Sequence, residues 1–73
     1  MPSGEEARLE FSLRLRKWRL QMAVKSGKRY SQEQAARHLK VNLDSYRKWE
    51  QGCVLPRAHV AMELDAMMRA MGI

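Results

Sequence analysis

The chain has 73 residues, a formal net charge of +6 and an isoelectric point near 10.1, enough for one small domain with a single core. Its one cysteine, Cys53, excludes an internal disulfide and is expected as a small buried apolar residue in a reducing compartment. No apolar run exceeds three residues, which excludes a signal peptide or membrane span and makes a soluble cytoplasmic protein the expectation.

The charge is unevenly placed. From Arg14 to Lys48 there are eleven Lys or Arg against Glu33 and Asp44, while residues 53 to 73 balance Arg57 and Arg69 against Glu63 and Asp65. A basic patch on one part of a fold attracts polyanions through counterion release. His38, His59 and Cys53 are the only candidate nucleophiles or bases of their kind and have no catalytic or zinc spacing. An enzyme, a metal site and a cofactor are therefore not expected.

Residues 1–4 read as a flexible tail and 5–73 as one domain. Ser3 and Glu6 have capping-box spacing for a first helix that runs to about Lys25. Phe11, Leu15, Trp18 and Met22 form one apolar stripe on it. Leu9, Leu13, Leu20 and Val24 form a second, roughly 180° away at about 100° per residue. A helix apolar on two sides needs two partners, and the second stripe is the candidate dimer surface. Burial inside the monomer is its competitor. Arginines between two apolar stripes argue against a membrane-surface helix.

Ser26-Gly27-Lys28-Arg29 breaks the chain, with Gly27 suited to a left-handed helix end. Ser31 and Gln34 form a capping box for a helix over 32–39, with Tyr30 placed to staple its start. Lys40-Val41-Asn42 makes a corner, and Asn42 caps a third helix from Leu43 to Gln51 that Gly52 stops. Tyr46 and Trp49 point inward, leaving Leu43, Asp44, Arg47, Lys48 and Gln51 outside. The helical spacing of the tryptophans and Tyr46 favours core packing over base stacking. Pro56 follows an extended connection, and a fourth helix is expected from about Arg57 to Met71. Its apolar face holds Val60, Ala61, Leu64, Met67, Met68 and Met71. The expected fold is all-α, a compact four-helix domain.

The stretch YSQEQAARHLKVNLDSYRKWEQG, Tyr30 to Gly52, resembles the helix-turn-helix of the Cro and phage-repressor family, also called XRE-type. Ser31-Gln32 looks like the opening of its first motif helix. Ala36 matches the small residue where two helices cross, and Leu39, Val41, Tyr46 and Trp49 match the apolar residues that lock them. Trp49-Glu50-x-Gly52 resembles the usual ending. Phe11-x-x-Arg14-Leu15-Arg16-x-Trp18-Arg19 resembles the family's first helix, and Pro56 with the helix ending Met71-Gly72-Ile73 resembles its usual continuation, so the likeness spans about residues 11 to 73. Two features depart from it: a longer stretch between Arg19 and Tyr30, and Lys40 where glycine is preferred. A left-handed side-chain residue costs about 1 to 2 kcal/mol.

The resemblance implies a lambda-repressor-like fold and a bacterial or phage transcription regulator that lays its third helix in the major groove of double-stranded DNA. It implies base contacts from Leu43, Asp44, Arg47 and Lys48. Leu43 is taken as an exposed leucine suited to a thymine methyl, Asp44 as an acceptor for cytosine, and Lys48 as a donor to guanine. Lys28, Arg29, Gln32, Asn42 and Gln51 are assigned to phosphate. The resemblance also pairs Arg19 with Glu50. A homodimer is expected, because two half-sites one DNA turn apart are the usual source of specificity. Repression by blocking polymerase is the simplest outcome, with no effector pocket visible. The alternative is an antitoxin or phage adaptor that uses the spare apolar faces, including the Met62 side of helix 4, for a protein partner.

Overall fold

A computed structural model describes residues 3–73. Met1 and Pro2, half of the expected tail, lie outside the described residues. The chain is all-helical there: α1 Gly4–Ser26, α2 Gln32–Leu39, α3 Leu43–Gln51 and α4 Ala58–Ala70. Ser3 already belongs to α1 as its N-cap, because its hydroxyl accepts from the Glu6 amide at 3.2 Å. Gly27 ends that helix at φ 68°, and its amide donates to the Val24 carbonyl.

Twenty-three residues at about 1.5 Å each give α1 a length of about 34 Å, close to the 37 Å long axis of the molecule. It is the spine. α3 packs on it most extensively, α2 packs on α3, and α4 on α1. Phe11, Leu15 and Trp18 of the inner stripe are buried with Ala35, Ala36, Tyr46, Trp49, Leu64 and Met68, while Met22, Val41, Val60, Met67 and Met71 pack around them. Full burial of a large apolar side chain contributes about 1.5 to 3 kcal/mol, so Leu15, Trp18 and Tyr46 anchor the core. Trp18 meets Tyr30 edge-on, with ring centroids 6.1 Å apart at 86°.

Gly52 shows why the end of α3 lies against α1. Its φ is 77°, and a Cβ there would sit 3.6 Å from Ser12 Oγ and 3.8 Å from the Arg8 carbonyl. At the far end, Arg14 joins α1 to α4 through Asp65 at 2.7 Å and donates to the Ile73 carbonyl at 3.3 Å. The Arg14 hydrogen bond holds the Asp65 carboxyl below its ordinary range. No sequence spacing pointed to this pair.

One expectation is corrected, and one of two alternatives falls. Cys53 is exposed, because it follows the Gly52 turn on the outside of the chain and its backbone amide closes onto Lys48. The second stripe of α1 is not buried within the monomer: Leu9, Leu13 and Leu20 are more than half exposed and Val24 is 82% exposed. No described helix is long and apolar enough to cross a membrane.

Candidate nucleic-acid interface

The α2–α3 pair is built by local signals. Ser31 Oγ accepts from the Gln34 amide at 3.1 Å, and Gln34 Oε1 accepts from the Ser31 amide at 2.9 Å, so two otherwise orphan donors are satisfied. α2 ends at Lys40, held left-handed at φ 59° and ψ 42°. The following Val41 amide donates to the Ala36 carbonyl at 3.0 Å. Asn42 then caps α3 by accepting from the Asp44 and Ser45 amides at 2.8 and 3.4 Å. Both helices have fixed ends, and the corner between them is three residues long.

Behind α3, Tyr46, Trp49 and Glu50 are buried. The Glu50 carboxylate, only 2% exposed, accepts from Arg19 Nε at 2.8 Å and Nη2 at 3.1 Å, the two-pronged geometry expected of the best ion pairs. Arg19 Nη1 also donates to the Tyr30 carbonyl at 3.0 Å, and Arg16 donates to the Glu50 carbonyl at 3.0 Å. Three elements thus meet at one carboxylate. Burial pushes the Glu50 carboxyl up, but hydrogen bonds from Arg19 and its other neighbours outweigh that and hold it below its ordinary range. The Tyr46 hydroxyl lies beside this pair, makes no hydrogen bond of good geometry, and is raised mainly by burial.

In front, Asp44, Arg47, Lys48 and Gln51 are exposed on α3. Asp44 and Lys48 face each other one turn apart at 3.2 Å. Arg47 turns toward α2 and closes an open cleft of about 380 Å³ with Arg19, Arg29, Ser31, Gln32 and Glu33. The Arg19 charge is matched by Glu50, and Glu33 is drawn to Arg37 at 3.2 Å. Among the described residues, Arg29 and Arg47 therefore supply the cleft's free positive charge, next to first-turn amides of α2 that lack helical acceptors. Such a cleft suits an anion.

Most of the expected residues come together here, with three differences. Leu43 is half-buried and packs against the core, because it stands three residues before buried Tyr46 and seven before buried Glu50 and so shares their side of the helix. The expectation of an outward leucine is corrected. Gln32 is half-buried and its amide donates to Glu50 Oε1 at 3.3 Å, so it braces the Arg19 pair as well as lining the cleft. Lys28 is exposed but does not line the cleft, whereas its neighbour Arg29 does. Asn42 and Gln51 stand at opposite ends of α3, about 13 Å apart. Arg16 and Ser31 were missed as site residues; the basic 14–19 run and the capping signal were their only traces. Comparison with protein-family models, with curated proteins and with solved structures finds no match to this chain.

Proposed function

We propose that this protein is a sequence-specific double-stranded DNA-binding regulator of helix-turn-helix type, most simply a repressor, with α3 as the reading helix. One observation carries the reading. α3 is capped at both ends, braced from behind by Tyr46, Trp49 and the buried Arg19–Glu50 pair, and bare in front at Asp44, Arg47 and Lys48. A helix of this width fits the major groove, and its front carries one acceptor and two donors for base edges. In this reading, Arg29 holds a phosphate at the cleft, Arg47 at its rim is left to a base edge, and Lys28, Gln32, Asn42 and Gln51 set the helix on the backbone. Leu43 is left out of the reading set, since core packing accounts for it.

The Asp44–Lys48 pair does not oppose this. An exposed pair of this kind contributes about 0 to 1 kcal/mol, whereas a good base contact discriminates by about 1 to 3 kcal/mol, so exchange favours DNA. Selection of bound sites from a random duplex pool tests the proposal. Wild-type protein should enrich a short motif, Lys48→Ala should relax one base position, and Gln32→Ala should weaken all sites alike. Enrichment of no motif would reject it.

The second reading, an antitoxin or phage adaptor that acts through a protein partner, draws on the exposed α1 stripe and on Met62, which is 73% exposed. Co-purification of a distinct protein from the native host, with no enrichment of duplex DNA, would favour it.

A further inference from the structure

Asp44 and Lys48 stand one turn apart on α3, about 6 Å along its axis, yet their tips converge. Lys48 Nζ lies 3.2 Å from Asp44 Oδ2, while the two side chains keep 54% and 75% of their surface in water. Asp44 is the one acid on the front of α3, since Glu50 is buried behind it. The helix does not need this pair to hold its ends, because Asn42 and Gly52 already close them. What the front presents is one acceptor and one donor at a fixed short spacing.

That spacing matches the edge of a single base pair. In G·C, guanine O6 and the cytosine amino nitrogen are joined by a hydrogen bond and so lie about 2.9 Å apart. Both face the major groove with capacity to spare: O6 and N7 of guanine still accept, and the amino group has a second hydrogen to donate. Edges of successive pairs are about 3.4 Å apart along the axis and are turned further apart by the twist, so converged tips suit one pair better than two. The Lys48 ammonium has three donors. One stays on Asp44, and the two that face water in the free protein are taken up by O6 and N7. Asp44 accepts from Lys48 and from the cytosine amino group, which closes a ring of four hydrogen bonds with no group left unpaired.

Other pairs fill this ring less well. Thymine in the place of guanine keeps the order of acceptor and donor, O4 beside the adenine amino group, but sets a methyl where N7 stood. One ammonium donor then loses its partner. Either pair reversed turns an amino group toward Lys48 and a base acceptor toward Asp44, like against like. Lys48 alone finds guanine on either strand; Asp44 fixes which strand carries it. We infer that, with α3 in the major groove as proposed above, Asp44 and Lys48 read one base pair as a unit: G·C in a single sense, guanine at Lys48 and cytosine at Asp44, with T·A in the same sense as runner-up.

The test is selection of bound duplexes by the wild type, Asp44→Ala, Lys48→Ala and the double variant, followed by anisotropy titration of duplexes that carry each of the four pairs at the affected position. Wild type should rank G·C first, T·A second and both reversed pairs last. Asp44→Ala should admit the reversed C·G pair at that position, and Lys48→Ala should equalise G·C and T·A at the same position. Each single change should lower the preference by about tenfold, and the double variant should lose less than the product of the two single losses. Circular dichroism should stay unchanged, since both side chains are exposed. Single variants that relax different positions, losses that multiply, or an unchanged motif in Asp44→Ala would overturn the coupling and leave the DNA reading standing. A wild type that enriched no motif would overturn both.

Discussion

Replacing Glu50 with glutamine severs the joint that fixes α3 to α1 while keeping the side chain's length. The carboxylate accepts two hydrogen bonds from Arg19, at 2.8 and 3.1 Å, and one from Gln32 at 3.3 Å. An amide retains one accepting oxygen and turns a donor toward the guanidinium, so one bond is lost and an unneutralised charge stays behind. Breaking a fully buried pair costs about 3 to 5 kcal/mol. The Arg19 side chain keeps 21% of its surface in water, which lowers the expected loss to about 2 to 3 kcal/mol. A chain of this length is expected to have about 4 to 11 kcal/mol of stability in all, so the variant stays folded but loses a large share. Urea unfolding followed by tryptophan fluorescence and circular dichroism should show the midpoint falling by about 2 to 3 M at a slope near 1 kcal/mol per molar, with the slope unchanged. A loss below about 0.5 kcal/mol would refute the argument, since surface substitutions alone reach that size.

Three further outcomes follow from the same geometry. Arg19 holds the folded Glu50 carboxyl below the ordinary carboxylate range, so its contribution is fully present above that range and is lost as acid carries the protein down through the folded pKa; stability measured from pH 6 to 3 should fall, and in Arg19→Met the fall should shrink or reverse because burial then meets less opposition. Lys40→Gly should stabilise by up to about 1 kcal/mol, as relief of a left-handed side-chain residue outweighs the added chain entropy; a loss in thermal midpoint would contradict it. Tyr46→Phe should fall within about 1 kcal/mol of neutral, because the buried hydroxyl lacks a well-formed hydrogen bond; a loss above about 2 kcal/mol would assign that hydroxyl a partner.

The sequence made the helix ends legible because the signals are local. Ser31 with Gln34, Asn42, Gly27 and Gly52 all cap or stop helices where their chemistry requires. The inner stripe of α1 and the inward turn of Tyr46 and Trp49 follow from helical period alone. Local pattern could not place the residues whose neighbours come from distant segments. Arg14 reaches Asp65 across 51 positions, and Gln32 turns to Glu50 because that carboxylate has spare capacity to accept. Composition alone expects Cys53 to be buried, but the residue follows the Gly52 turn and its side chain is exposed. The Arg19–Glu50 pair came from resemblance and not from spacing, and the two-pronged contact agrees with it.

The central claim, that the front of α3 reads paired bases, is tested most directly by fluorescence anisotropy with a labelled duplex carrying the selected motif, competed by scrambled duplex at two salt concentrations. The account predicts at least a hundredfold preference for the motif that survives higher salt while overall affinity drops, and a Lys48→Ala protein that loses preference at one base pair by about 1 to 3 kcal/mol. Equal competition by scrambled duplex, even in dilute buffer, would contradict it.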